Sequence, residues 1–405
     1  MRHCKDCEPA QEMHTFAYLS VVVGWIDQPL LDLMERIFKN TADKLADRIT
    51  LPFFNLMNLL RLGHFSDEPD EKDSYRTKCF WEEAVRRGIK MREFHLGPIR
   101  EGFVAEYKEN NGNPGRTIIF GGLPRPGTKE SPALKWMDNK GIMSKKFQRE
   151  GLPVAKGGIA WSIQGALKIF NSLTKPVITK PNLGSRSRHT TLHINTAGDL
   201  ISAFKKARKL SPVVVIEEEL RGSLFRGTLV AGKLTGVVRR DKPQITGDGI
   251  HTVRELWEKE NERSERSGPI FHTIVLDKEA LAELKRQNIE MDDIPKKDRI
   301  VTFSQKTSRG CGGTTTEVTE ITHYENVKML EHVGRFLKDP LIGVDFIMED
   351  ITKSWREQER CGIIECNSLP FIDLHHYPLF GEKKNVAGAL WDLVMPESKI
   401  ELKTK

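Results

Sequence analysis

Apolar and polar positions alternate with different periods along the 405-residue chain, and the changes of period divide it. Up to about residue 125 the spacing is helix-rich, with apolar stretches at 16–33 and 51–62 and a polar break at 66–73, Ser-Asp-Glu-Pro-Asp-Glu-Lys-Asp. A helical run over 77–88 then leads into a strand at 89–94, and Arg116-Thr-Ile-Ile-Phe120 reads as a second strand. The cluster 121–127, Gly-Gly-Leu-Pro-Arg-Pro-Gly, is a set of turn formers and marks a domain boundary. Beyond it the pattern predicts a helix over 138–150, closed by Gly151 and Pro153, strands over 177–179 and 191–194, a helix over 197–210 and a strand over 213–216. Residues 229–238 read as a hairpin turning at Ala231-Gly232. This alternation predicts an α/β (α+β) chain, with the part before the boundary, 1–130, a helix-rich α/β domain. No internal repeat is visible, and the only biased patch is the charged, helix-prone stretch 255–266.

Composition narrows the picture modestly. With 38% hydrophobic and 29% charged residues the chain has the make-up of a soluble globular protein, long enough for two or three cores. Asp27 and Pro29 interrupt the apolar stretch 16–33, which argues against a signal peptide or membrane span, and 51–62 is too short to span. Six scattered cysteines fit a reducing, cytoplasmic setting rather than a disulfide framework. Cys4 and Cys7, with His3, lack the second CxxC that a tetrahedral structural site needs, so a frayed terminus is expected there. The surplus of seven positive charges is dispersed among acids, which suits nucleotide phosphates better than a nucleic-acid footprint.

The most informative chemistry lies near the C-terminus. Gly343-Val-Asp345 and Gly362-Ile-Ile-Glu365-Cys-Asn367 both look like short strands, and residues two apart on a strand project to one face. Glu365 and Asn367 therefore point together, and Asp345 can join them from a neighbouring strand. Two carboxylates and an amide oxygen make a hard-oxygen set suited to Mg²⁺ and to phosphoryl chemistry. Upstream, the apolar strand 213–216 runs into Glu217-Glu-Glu-Leu-Arg-Gly222, which could hold a purine through the main chain or could simply be a solvated strand end.

Taken in order, Asp138-Asn-Lys140, Gly151-Leu-Pro-Val154, Thr179-Lys180-Pro181, residues 217–222, Gly343-Val-Asp345 and Glu365-Cys-Asn367 resemble the ATP-grasp ligases. More specifically, Thr246-Gly-Asp-Gly-Ile-His-Thr-Val-Arg-Glu-Leu256, Gly312-Gly-Thr-Thr-Thr-Glu-Val-Thr-Glu320 and the run 370–378 resemble the ATP-grasp part of cyanophycin synthetases. The likeness covers about residues 135–396. It implies an ATP-grasp fold, two α/β subdomains gripping ATP, with a lid and adenine hinge in 131–220, a metal and substrate site in 221–400, and a pre-ATP-grasp-like domain before them. It also implies a reaction, in which a carboxylate attacks the γ-phosphate of ATP and an amine then attacks the acyl phosphate to form an amide.

By the same resemblance Lys140 and Lys180 reach the phosphates, Glu217, Glu218 and the Leu220 backbone form the adenine hinge, and Asp345, Glu365 and Asn367 hold Mg²⁺ or Mn²⁺. Arg240 would stabilise the acyl phosphate, and His375 would stand beside the substrate. The chain departs from the family in several places. The glycine-rich flap reads Gly184-Ser-Arg-Ser-Arg-His-Thr-Thr191, so Arg186 and Arg188 are expected to grip phosphate in place of backbone amides. Leu224 stands where an acid would hold the ribose, Ser308 replaces an asparagine with the candidate catalytic Lys306 nearby, and Phe371 replaces a glycine. No Gly-rich GKT or GKS phosphate loop of the Mur-ligase type occurs, so a complete cyanophycin synthetase is not expected.

The implied partners are ATP and a carboxylate and an amine of amino-acid or peptide type, with neither nucleic acid nor membrane, and with a homo-oligomer left open. Two alternatives remain beside this ligase. One is an enzyme of the glutathione-synthetase or D-alanine–D-alanine-ligase type, and the other a nucleotide-binding protein without turnover. A basic nucleic-acid binder would rest on net charge alone.

Overall fold

The computed structural model describes residues 49–71, 73–108, 115–124, 134–184 and 188–400, together with His14 and Tyr18. Within them the named strands pair in antiparallel fashion throughout and form three larger sheets and one ribbon. The mixed class expected from the alternation of patterns is therefore present in its α+β form. The apolar stretch 16–33, Cys4, Cys7 and His3 lie outside the described residues. Among the described residues no helix is long and apolar enough to cross a membrane.

The first sheet runs in the order Gly63–Ser66, Lys90–Leu96, Ile99–Tyr107, Arg116–Phe120. Beside it lies the helix Tyr75–Arg86, whose first turn is capped by Ser74 accepting from the Thr77 N–H. Phe80, Trp81 and Ala84 form its buried face and share a core with Leu390 and Trp391 of the helix Val386–Val394. Phe80 and Trp391 stack with ring centroids 4.2 Å apart, and the indole N–H donates to the Phe80 carbonyl at 3.0 Å. Burying such rings stabilises by roughly 1.5–3 kcal/mol each, so this shared core fixes the first sheet against the C-terminal part of the chain.

The second sheet is ordered Gly157–Ala160, Val214–Glu218, Val177–Pro181, Thr191–Ile194. The helices Ile163–Ser172 and Ala197–Ala207, capped by Ser162 and Thr196, bring Phe170, Leu200 and Phe204 against Val177, Val214 and Ile216. Strand alternation turns Ile178, Lys180, Val215 and Glu217 to the opposite face. The third sheet, ordered Thr314–Glu317, Lys233–Asp241, Ser223–Val230, Leu341–Met348, Gly362–Asn367, packs one face on the helix Tyr324–Leu337 through Phe225, Val344, Phe346, Met329 and Leu330. A ribbon of Gln244–Thr246 and Ile300–Thr302 with the helices Val253–Asn261 and Lys278–Arg286 closes a small core around Ile245, Val253 and Phe303.

Most differences from the sequence reading are local and have identifiable causes. The helix expected over 138–150 begins at Lys140, because the Asn139 side chain accepts from the Ile142 N–H at 3.0 Å and takes the capping position. The stretch 255–266 is split: a Thr252/Glu255 capping box starts the helix Val253–Asn261, and Ser264–Ser267 forms a separate single turn. The strands Gly157–Ala160 and Thr314–Glu317 escaped the apolar pattern, the first because half of it is glycine and the second because it is Thr-Thr-Thr-Glu.

Candidate nucleotide and metal site

On the third sheet the face turned away from the helix Tyr324–Leu337 carries charge in a cross-strand row. Arg226, Asp345 and Glu365 are in register on three adjacent strands. Arg226 donates from Nε and Nη2 to the two oxygens of Asp345, the second at 2.6 Å, and both side chains are buried. Burial works against the Arg226 charge and Asp345 outweighs it, so the guanidinium is held above its ordinary pKa. In the amide orientation that satisfies its neighbours, Asn367 donates to Glu365 Oε1 at 3.0 Å and accepts from Arg226 Nη2 at 3.2 Å. The close approach depends on Gly343, where a Cβ would come within 2.8 Å of Pro370 and 2.9 Å of Arg226 Nη1.

Glu365 is the uncompensated member of the row. Burial pushes its carboxyl above the ordinary range and the neighbouring Asp345 adds to the shift, while Lys140, Arg226 and Lys180 pull it back. Among the described residues none of these cations forms an ion pair with it, as Lys140 is bound to Gly184 and Lys180 to Glu217. Two acids and an amide on one face, with one acid lacking a cation, fit a hard divalent ion that binds few protein oxygens. Among the described residues no group of three His, Cys, Asp or Glu side chains converges on a metal-sized point, so an ion held here would have to draw on the Asn367 amide as well.

The two lysines come from the neighbouring elements. Lys140 opens its helix where Asn182 ties helix to strand: Asn182 Oδ1 accepts from the Gly141 N–H at 2.9 Å and its carbonyl accepts from the Lys140 N–H at 3.2 Å. The Lys140 ammonium donates to the Gly184 carbonyl at 2.6 Å, at the first residue of the flap. Burial lowers its pKa, with Glu365 the largest opposing influence, which puts the two groups in one electrostatic neighbourhood. Lys180 pairs with the buried Glu217 on the same sheet face. Arg240, two residues beyond the neighbour of Arg226, places Nη1 4.0 Å from Asp345 Oδ2. Burial, Arg226 and Arg309 lower its pKa, while Asp345 and Glu365 sustain it.

Other expected residues are placed differently. Glu218 points to the helix face, where its carboxylate accepts from the Thr174 N–H at 2.9 Å, so only its backbone lies along the hinge. Neither the N–H nor the C=O of Leu220 finds a hydrogen-bond partner among the described residues, which leaves that backbone available to a base. Arg188 lies half-buried in the turn before His189, and Arg186 lies outside the described residues. His375 is fully buried, with Nδ1 2.9 Å from Glu317 and Nε2 2.8 Å from Thr228, and its ring fills the space that a Cβ on Gly236 would occupy. Both of its ring nitrogens are occupied within the protein. Lys306 is exposed and reaches Glu279 at 3.2 Å.

Three residues of the neighbourhood were not singled out from the sequence. Arg226 and Asn182 carry weak signals, an arginine amid strand formers and an asparagine in a Pro-Asn-Leu-Gly turn. Arg309 carries none. It pairs with the buried Asp373, 64 positions away, and its charge acts on Arg240.

No family model matches the chain. It is 29% identical over 256 residues to cyanophycin synthetase of Synechocystis sp., covering 62% of this chain and 29% of that one. To cyanophycin synthetase of Nostoc sp. it is 29% identical over 357 residues, covering 83% and 38%. It is 26% identical over 330 residues to the glutathione biosynthesis bifunctional protein GshAB of Listeria innocua, covering 78% and 41%. The chain thus spans less than half the length of these relatives. Among solved structures, a bifunctional glutathione synthetase from Pasteurella multocida superposes with a TM-score of 0.58 at 19% identity, over 80% of this chain and 43% of that one. The fold is that of the ATP-grasp proteins. Within that class the chain is related to the cyanophycin synthetases.

Proposed function

We propose that the protein is an ATP-dependent carboxylate–amine ligase that forms an amide or peptide bond between amino-acid or peptide substrates through an acyl phosphate. What supports this reading is that Lys140 and Lys180 act electrostatically on Glu365, which lies across from Asp345 and is hydrogen-bonded to Asn367, with Arg240 4.0 Å from Asp345. Residues 131–220 would form the lid and hinge subdomain, 221–400 the metal and substrate subdomain, and 1–130 a domain that shapes the substrate end. ATP would lie with its base on the backbone at 217–220 and its phosphates under the flap, held by Lys140, Lys180, Arg188 and Arg186.

Asp345, Glu365 and Asn367 would hold Mg²⁺ or Mn²⁺, which when bound neutralises the phosphate oxygens as charge builds on them. Arg240 would face the transferred phosphoryl group and the carboxylate that attacks it. Phosphoryl transfer needs positioning and charge stabilisation more than covalent help, and fixed cations in a site shielded from water provide both. His375 would position rather than react, by fixing Thr228 and Glu317 beneath the same sheet. Lys306 would reach the site only by leaving Glu279. The reaction suits a cytoplasmic supply of ATP and involves no nucleic acid or membrane.

The test is a screen of amino acids and short peptides for ATP-dependent phosphate release with the product read by mass. A product heavier than the sum of one carboxylate and one amine less water would indicate repeated additions. No release with any pair, alongside normal Mg²⁺-dependent ATP binding, would favour the reading without turnover.

A further inference from the structure

A groove of about 450 Å³ lies between the segment around Glu265–Phe271 and the loop around His376–Lys383, walled by Pro269, Ile270, Phe271, Tyr377, Pro378 and Leu379. Its walls are mostly apolar. Behind one of them the Arg309 guanidinium lies over the Phe271 ring, 5.8 Å from its centroid. Arg309 Nη2 donates to Asp373 Oδ2, and Asp373 begins the short helix Asp373–His376 whose last residue lines the groove.

This ion pair is only half used. Arg309 Nη1 and Asp373 Oδ1 are both buried and without a hydrogen-bond partner. Leaving a buried charged donor and a buried charged acceptor open costs more than leaving neutral ones, and such groups ordinarily take a partner from the protein, from ordered water or from a ligand. One open donor and one open acceptor on adjoining groups complement a molecule that carries an ammonium and a carboxylate on one carbon. Arg309 also acts on the charge of Arg240, which sets this end of the groove in the electrostatic neighbourhood of Arg240.

We propose that the groove and the Arg309–Asp373 pair bind the amine substrate as a free α-amino acid with an apolar side chain. Asp373 Oδ1 takes the α-ammonium, Arg309 Nη1 takes the α-carboxylate, and the side chain lies along Ile270, Tyr377 and Leu379 after displacing the Phe271 ring. The proposal deepens the ligase reading and rests on it for the reaction, but not for binding.

The test measures binding to the full chain by calorimetry, without ATP, using L-leucine, N-acetyl-L-leucine, L-leucinamide and L-arginine. L-leucine should bind, and acetylation, amidation or a charged side chain should each weaken binding by at least about tenfold, the scale of one lost charged hydrogen bond. Asp373→Asn should erase the penalty for acetylation while keeping that for amidation, and Arg309→Gln should do the reverse. Ile270→Lys, on the groove wall and outside the ion pair, should weaken L-leucine and not L-arginine. Equal binding of leucine and its acetylated form in the parent, or no response to Ile270→Lys, overturns the proposal. Mg²⁺-dependent ADP binding in the same samples reports separately on the nucleotide site, so a failed groove and a failed ligase reading are distinguishable.

Discussion

Glu365→Gln should stabilise the metal-free protein and disable it at the same time. Glu365 stands directly across from Asp345 on the adjacent strand, two like charges facing each other in a part-buried row. Removing such a pair is worth about 0.2–1 kcal/mol, and glutamine keeps the acceptor that Asn367 donates to. The pH dependence has a definite sign. Burial and Asp345 raise the folded pKa of Glu365 above its unfolded value, so its ionisation costs stability as pH rises past the unfolded value of about 4.3. The variant should therefore melt above the parent at neutral pH in EDTA, and the advantage should vanish below about pH 4, where both carry a neutral group. Added Mg²⁺ with ADP should raise the parent melting temperature more than that of the variant, which has one charge fewer to hold the ion. Turnover should fall on the order of a hundredfold or more, about 2.7 kcal/mol in barrier. Differential scanning calorimetry across pH, with and without Mg²⁺, and phosphate release on the same preparations supply the numbers. A variant that melts at or below the parent in EDTA at neutral pH and responds equally to Mg²⁺ and ADP would show that Glu365 is an ordinary strand residue.

Lys180→Ala should weaken ATP binding and slow phosphoryl transfer together, and should also lower the melting temperature by stripping the buried Glu217 of its partner; Lys180→Arg should rescue in part, as seen by calorimetry and phosphate release. Replacing Arg186 and Arg188 together with alanine should raise the Michaelis constant for ATP at least about tenfold, roughly 1.4 kcal/mol, and make ATP binding less sensitive to salt. Unchanged affinity and salt response would mean that the flap grips through its backbone. Trp391→Ala should cost about 3–5 kcal/mol in denaturant unfolding, because the ring is fully buried against Phe80 and its N–H is hydrogen-bonded; a much smaller loss would show that the first sheet is not held by this core.

What could be read from the sequence followed strand and helix periodicity. Glu365 and Asn367 share a face because two-residue alternation requires it, and Asp345 falls opposite Glu365 because both segments are strands of one antiparallel pair. Alternation could not assign Glu217 and Glu218 to opposite faces until the strand was known to run through both, and that is why Glu218 spends its carboxylate on Thr174. The family resemblance puts His375 beside the substrate, and nothing in its local sequence shows that it is fully buried, with Gly236 leaving room for its ring. The roles of Arg226 and Arg309 escaped the sequence for a different reason. Their partners, Asp345 and Asp373, lie 119 and 64 positions away, and no local pattern encodes a contact made by sheet order or by a returning loop.

The proposed reaction begins when a carboxylate oxygen attacks the γ-phosphate of ATP. The most direct measurement incubates the protein with ATP, Mg²⁺ and amino acids or dipeptides carrying oxygen-18 in their carboxylates, and reads the released phosphate by mass. An acyl-phosphate route transfers one labelled oxygen into each phosphate and leaves ADP in equal amount, with an amide as the other product. Unlabelled phosphate, or AMP with pyrophosphate in place of ADP, would contradict the account.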